Sequence, residues 1–222
     1  VLMAFIAPEV PLKVSPSRNI GPSIGLFEEF GLQCALTLIK EEFPDMAQRP
    51  VWLLVQSPGG EIPSSYMIAK RIRESFKEVV TFVPHVAYSG GTLIALAADE
   101  IVMGDFSRLG PVDPQVAYTR SSDNWLISVS ALSMSRAYET LKRELRTTAR
   151  EEVSYPEQVL AEKLDPVLMA DWNAECTVVA TYLQEVLAAA NYDQATVNSI
   201  VRNLVFTTFP HDYVIHRERA RE

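Results

Sequence analysis

Ser89 stands in the run Ala87-Tyr88-Ser89-Gly90-Gly91-Thr92, between a β-prone stretch and an Ala-rich one. A serine at a strand-to-helix turn holds its hydroxyl beside free backbone N–H groups. The positive end of the helix then favours the anionic oxygen of a tetrahedral intermediate. A second glycine turn, Ser57-Pro58-Gly59-Gly60, follows an earlier β-prone run. Glycine lets the backbone approach a substrate with no Cβ in the way. Ligands of open α/β folds bind at the carboxyl ends of such strands. The two turns together therefore suit a nucleophile and an oxyanion-binding pair for acyl transfer. A Ser-Gly-Gly turn also serves as a helix cap with close packing, and spacing alone leaves both readings open.

The elements that must position these turns follow from periodicity. Val51-Trp52-Leu53-Leu54-Val55 reads as a strand buried on both faces, and Val79-Val80-Thr81-Phe82-Val83 and Glu100-Ile101-Val102-Met103 as two more. Between them, helices are predicted over about Pro63 to Phe76 and Thr92 to Asp99. An earlier helix, about Leu26 to Glu42, places Phe27, Phe30, Leu36 and Ile39 at helical spacing. Strand and helix in alternation imply right-handed crossovers and a mainly parallel sheet, an α/β class. The stretch with Gly104, Gly110, Pro111 and Pro114 reads as a polar loop. Beyond it, helices are expected over Ser130–Glu152, Pro156–Leu164, Pro166–Ala190 and Gln194–Val205. The expected organisation is an extended arm over 1–24, a catalytic core over 25–128 and a helical C-terminal region over 129–222.

The 222 residues, 48% of them hydrophobic, suffice for one sizeable core. The net charge of -8 disfavours nucleic acid, because phosphate binding needs clustered Lys and Arg. Cys34 and Cys176 fall in no CxxC or metal-ligand pattern, so free thiols in a reducing, cytoplasmic setting are expected. No metal, nucleotide or other cofactor is predicted. The apolar opening, Val1 to Pro8, reads as a strand or arm, or as the tail of a membrane segment cropped from a longer protein. Membrane association through a segment outside this chain is therefore also open. Trp52, Trp125 and Trp172 read as core or interface.

Three ordered motifs carry a resemblance. Ser57-Pro58-Gly59-Gly60, then Ala87 to Ile101 around Ser89, then Ser107-Arg108-Leu109-Gly110-Pro111-Val112-Asp113-Pro114-Gln115 resemble the Clp-protease/crotonase superfamily. The likeness is to its serine dehydrogenase proteinase family, related to signal peptide peptidase A. It returns at Pro210-His211-Asp212-Tyr213. The resemblance implies a Clp/crotonase-like ββα spiral core with mainly parallel strands and C-terminal helices. It implies Ser89 as nucleophile and the amides of Gly60 and Gly90 as the oxyanion hole. Gly59 shapes the turn or replaces Gly60 as donor, and Pro58 and Gly59 form a short edge for an extended peptide. A homo-oligomer and peptide or membrane-protein substrates are implied too.

The same resemblance gives His211, in the His-Asp-Tyr motif, as general base, and Asp113 as the carboxylate that orients it. Asp113 has a second reading as a loop cap. The chain departs from its relatives in two places. The Clp proteolytic subunit has a histidine where Val112-Asp113-Pro114 stand here, and Val214 replaces the proline that usually follows His-Asp-Tyr. The rival mechanism is a Ser–Lys dyad with Lys142 as base, or more weakly Lys163; Lys142 also reads as a solvated residue on a polar helix face. His85 reads as a strand-end residue lining the cleft. The expected activity is ATP-independent serine endopeptidase hydrolysis through an acyl-enzyme. A catalytically inactive peptide-binding scaffold and a crotonase-type acyl-CoA enzyme are the alternatives.

Overall fold

The computed structural model describes residues 2–6, 12–15, 18–20, 23–120, 125–147, 166–207 and 211–221. The chain divides into two compact units, one of Val1–Val112 with Thr181–Glu222 and one of Asp113–Ala180.

The first unit is built on a four-stranded parallel sheet. Its strands are β1 (Leu2–Ile6), β4 (Pro50–Gln56), β5 (Glu78–Val83) and β7 (Glu100–Met103), in the order β1-β4-β5-β7. Strand β1 pairs with β4 from Leu2 opposite Trp52 to Ile6 opposite Gln56. A short hairpin, β2 (Leu12–Ser15) with β3 (Arg18–Ile20), follows β1. The continuous apolar run of β4 is not buried on both faces, as its composition suggests. Val51, Leu53 and Val55 are buried, whereas Trp52 on the opposite face is exposed and meets Phe82 edge-on at 6.1 Å. Strand side chains alternate between faces, so a run that is apolar throughout can still have only one face sealed.

The connections are helical. Helix α1 (Leu26–Glu42) opens at Gly25, whose N–H donates to Glu28 Oε2 at 2.8 Å. It buries Leu32 and Leu36; Phe27 and Phe30 lie on its outer face. Helix α2 (Ile62–Ser75) starts with Pro63 in its first turn, where the missing N–H costs nothing, and buries Tyr66, Ile68, Ala69 and Ile72. Helix α3 (Gly90–Ala95) is buried along its whole length, which its Gly and Ala content allows.

A second, three-stranded sheet has β8 (Arg108–Leu109) at its centre. Strand β6 (Val86–Ala87) pairs with it in parallel and β11 (Ile215–His216) antiparallel. Strand β11 leads directly into α7 (Arg217–Ala220). The C-terminal half of α5 (Pro166–Ala189) joins this unit through Leu183, Val186 and Leu187, and Tyr182 stacks on Tyr66 at 4.1 Å. Helix α6 (Gln194–Val205) is capped by Asp193, which accepts from the N–H groups of Ala195 and Thr196.

The other unit contains an antiparallel hairpin, β9 (Gln115–Arg120) with β10 (Trp125–Ser130), and then α4 (Ala131–Thr147). Its core joins Ala131, Leu132, Trp172 and Cys176. The hairpin lies where composition suggests a polar loop. Its pairs, such as Tyr118 opposite Ile127, carry β-prone residues between turn signals. The helix expected over Pro156–Leu164 and the end of the one expected to reach Glu152 lie outside the described residues. No described helix is long and apolar enough to cross a membrane.

Asp99, immediately before β7, ties α2 to β5. Its carboxylate pairs with Arg73 of α2 and accepts from Val79 N–H at the start of β5. Burial pushes the Asp99 carboxyl up, but the hydrogen bonds from Arg73 and Val79 outweigh it and hold the group below its ordinary value. A carboxylate depressed in the folded state adds stability above its unfolded pKa of about 3.9, which is lost as pH falls through the folded value. Asp99→Asn is therefore expected to destabilise by about 1 kcal/mol at pH 7, discounted for partial exposure. Urea midpoints of the two proteins should converge as the pH is lowered below about 4.

Candidate active site

The site grows from the way two turns are laced together. Ser57, just after β4, pairs in parallel with Ala87 of β6. Ser57 N–H donates to Val86 at 2.9 Å and Tyr88 N–H donates to Ser57 at 3.0 Å, both to carbonyls. These bonds set Ser57-Pro58-Gly59-Gly60 directly against Tyr88-Ser89-Gly90-Gly91. A Cβ built on Gly59 would lie 2.8 Å from Ser89 Cβ and 2.8 Å from the Tyr88 carbonyl, and Gly59 has φ +107. Only glycine fits this position without strain.

Gly60 is fixed from the other side. Ile24 N–H donates to the Gly59 carbonyl at 2.8 Å, and Glu61 N–H donates to the Ile24 carbonyl at 2.8 Å. In an extended segment, alternate residues aim their N–H and C=O groups to opposite edges. The Ile24 pairing uses Gly59 and Glu61, so Gly60 N–H points to the other edge. A Cβ on Gly90 would lie 3.5 Å from that Gly60 nitrogen and 2.1 Å from Ser65 Oγ. The Gly90 amide opens α3, where the first N–H groups have no intrahelical acceptor. The two amides thus sit side by side next to Ser89.

Ser89 has φ 48 and ψ -115, a left-handed conformation that costs a non-glycine residue about 1–3 kcal/mol. With Tyr88 it turns the chain from β6 into α3 within two residues. Its side chain makes no cap hydrogen bond to its own helix, and the residue is 7% exposed. The Gly91 N–H to Tyr88 bond at 2.7 Å and the Leu93 N–H to Ser89 bond at 3.1 Å hold the turn. Thr92 holds it to the next loop. Its hydroxyl contacts the carbonyls of Ala87 at 2.6 Å and Gly110 at 3.0 Å, and accepts from Gly110 N–H at 3.1 Å. Gly110 in turn lies under the Tyr88 ring, 2.7 Å from where its Cβ would stand.

The three-stranded sheet brings the C-terminal motif to the same end. Ala87 lies opposite Leu109, and Leu109 opposite Ile215. Because β11 runs antiparallel, the residues just before it extend past the end of β8 at which Gly110 and Ser89 emerge. His211 lies on a turn four residues before Ile215 and is half-buried. Pro210 lies outside the described residues. His85 lies at the opposite end of β6, exposed, its carbonyl accepting from Arg108 N–H at 2.7 Å.

The remaining candidates belong to the other unit. Asp113 is buried, and its Oδ2 accepts from Gln115 Nε2 at 2.8 Å. Burial, then the Asp113 and Glu175 carboxylates, push the Cys176 thiol up, with Arg136 opposing. Lys142 pairs with Glu139 at 3.2 Å on its own helix and lies over the Tyr138 ring. Lys163 lies outside the described residues. Among the described residues no His/Cys/Asp/Glu group could hold a metal ion. Sequence reasoning missed the positioning role of Thr92, since a buried hydroxyl between two backbones leaves no periodic signal.

Residues 37–129, which contain both turns and Ser89, match the family described as ClpP-like SDH-type serine proteinase. This segment resembles that family. The chain is also 48% identical over 68 residues to an uncharacterized protein of Methanocaldococcus jannaschii, covering 31% of this chain and 24% of that one. A second uncharacterized protein of the same organism is 46% identical over 67 residues, 30% of this chain and 23% of that one. This chain therefore matches a quarter or less of the length of these relatives. A serine-to-alanine mutant of the 1510-N membrane-bound stomatin-specific protease superposes with a TM-score of 0.53 at 13% identity, over 99% of this chain and 73% of that chain. A lysine-to-alanine mutant of the same protease, solved with a substrate peptide, gives 0.52 at 15%, over 99% and 69%. At these identities the likeness is one of fold alone.

Thr92→Val keeps the shape but removes the clamp, leaving Gly110 N–H buried with no acceptor. The expected loss is about 1–3 kcal/mol, read from the urea midpoint; an unchanged midpoint would show that the clamp is dispensable.

Proposed function

We propose that this chain is a serine peptidase that cleaves peptide bonds through a Ser89 acyl-enzyme. The observation that carries the reading is the strained Ser89 turn set against the Gly60 and Gly90 amides. Ser89 Oγ attacks the scissile carbonyl carbon while its proton passes to the base. The oxygen, now anionic, accepts from Gly60 N–H and Gly90 N–H, which are already aimed and need no reorganisation. Collapse breaks the C–N bond, and the base returns the proton to the leaving amine. Water then hydrolyses the ester by the reverse sequence.

His211 serves as the base and Asp113 as its orienting carboxylate. The register that carries the His-Asp-Tyr motif toward the Ser89 end of the small sheet favours His211. Pro58, Gly59 and the outward edge of Gly60 bind an extended peptide by strand addition. The substrates are extended peptides or membrane-protein segments, in keeping with the 1510-N protease, which is membrane-bound and stomatin-specific. A homo-oligomer and membrane association complete the reading. The second reading, a Ser–Lys dyad with Lys142, draws on the lysine-to-alanine form of that protease with its peptide bound.

The test is turnover of casein or a fluorogenic peptide, with labelling by a fluorophosphonate. Ser89→Ala is expected to abolish labelling and to reduce hydrolysis by about a thousandfold or more. His211→Ala should bring a similar loss and Lys142→Ala little; the reverse pattern assigns the dyad. Hydrolysis and labelling unchanged in Ser89→Ala would overturn the proposal, and no activity in any form would leave a peptide-binding scaffold.

A further inference from the structure

Strand β7 is an edge of the four-stranded sheet. It pairs with β5 on one side, from Val80 opposite Glu100 to Val83 opposite Met103, and among the described residues no strand pairs with its other side. Alternate residues of a strand aim their N–H and C=O groups at opposite edges, so half of β7 presents backbone donors and acceptors outward. An open edge of this kind is a template for a further strand, and proteins ordinarily cover or blunt it. Here it borders a cavity of about 1060 Å³, which all four residues of β7 line. Helix α6 contributes Thr196, Ser199 and Ile200 to the same cavity, and the C-terminal segment contributes Arg217, Arg219 and Arg221.

We propose that this groove binds an extended acidic peptide of a partner protein, which adds to β7 as a fifth strand of the sheet. Three observations select that occupant. The first is the open edge itself, which a strand satisfies with a row of main-chain hydrogen bonds. The second is size. Four strand residues span about 13 Å, so the cavity has a cross-section of roughly 80 Å² along β7. One strand fills about 48 Å², at 4.8 Å between strands and 10 Å between layers, so there is room for one added strand and not for two. None of Pro58, Gly59 and Gly60 lines this cavity, so the groove is separate from the edge at the candidate active site.

The third is charge. The whole chain carries a net charge of -8, yet this cavity is lined by three arginines against a single carboxylate, Glu100. Arg217 pairs with Asp105 at 2.9 Å and its side chain stays 42% exposed; Arg219 and Arg221 are exposed. A guanidinium fork matches a carboxylate bidentately, so Glu or Asp side chains on the incoming strand would gain charge-assisted hydrogen bonds. Ile101 and Met103, both half-buried, give the groove an apolar part together with Ile200. Side chains alternate along a strand, so the peptide that fits carries apolar and acidic residues in alternation. A second copy of the chain adding its own β7 fits less well, because it would bring its own three arginines to the same groove.

The test is fluorescence anisotropy of a fluorescein-labelled Val-Glu-Val-Glu-Val-Glu peptide titrated with the purified chain. Saturable binding with a dissociation constant below about 100 µM is expected, and none of the matching Val-Lys-Val-Lys-Val-Lys peptide. The double variant Arg219→Glu, Arg221→Glu should weaken binding about tenfold or more with an unchanged circular dichroism spectrum, since both positions are exposed. Strand addition has its own signature, read on the wild-type chain. Two further peptides carry N-methyl groups, one on its valine amides and the other on its glutamate amides. Only one of these sets faces β7, so one peptide should lose binding about tenfold or more and the other keep it within about threefold. Equal binding by the two methylated peptides, indifference to the arginine variant, equal binding of the lysine peptide, or no binding by about 1 mM would each overturn the proposal. So would a dimer whose formation the peptide blocks, which would give the edge to a second copy. Ser89→Ala should bind the peptide as the wild type does, which separates this groove from the peptidase reading; lost binding in that variant would place the peptide at the candidate active site instead.

Discussion

The parallel pairing of Ser57 with Ala87 is the contact on which the candidate site depends. It joins two chain segments that arrive from separate strands of the main sheet and fixes their separation to one strand spacing. Without it, the Gly60 amide and the Ser89 hydroxyl would each sit on an independent loop. With it, their relation is set by backbone hydrogen bonds, which vary little in length. A donor for a developing oxyanion is useful only if it is aimed before charge appears, because reorganisation would consume the gain. In the proposed mechanism the backbone would supply that aim more rigidly than side chains could.

The lacing also has to hold a strained residue. Ser89 stays in a left-handed conformation because its neighbours over-determine it. Gly59 packs on its Cβ, Gly91 and Leu93 bond back across the turn, and Thr92 anchors the start of α3 to Gly110. Each of these bonds contributes about 1 kcal/mol, comparable to the strain they oppose. Any one can weaken without the turn relaxing, but several lost together would let Ser89 return to an ordinary conformation. The turn is rigid by redundancy, which suits a residue that must hold its oxygen still.

Much of this was legible in the sequence. The strands at Val51, Val79 and Glu100, the helix over Gln194–Val205 and both glycine turns follow from periodicity and punctuation. The segment 37–129 carries the family match around the motifs that drew attention to Ser89. What could not be read depends on long-range pairing. The two-residue strands β6, β8 and β11 have no periodicity to detect, and only their register sets Ile215 beside Leu109 and Leu109 beside Ala87. Nor could spacing say which apolar face of α1 turns inward. Phe27 and Phe30 satisfy the helical period as well as Leu32 and Leu36 do, and the choice is made by the shape of the surface that α1 meets. The hairpin over Gln115–Ser130 was hidden by the glycines and prolines that precede it.

The chemistry of the base follows from what neutrality demands. A histidine can accept the Ser89 proton at its ordinary pKa, near 6.5, so it needs only to be placed. A lysine must give up a proton roughly three units below its ordinary value, which takes about 4 kcal/mol of desolvation or like-charge repulsion. Such lysines are sealed among apolar side chains. Lys142 has an environment of the opposite kind, with Glu139 at 3.2 Å and a side chain 40% exposed. For Lys142 to serve, that ion pair would have to break and the side chain would have to be enclosed, two separate costs before any chemistry. For His211 to serve, a half-buried turn at the end of β11 has only to settle against its neighbours.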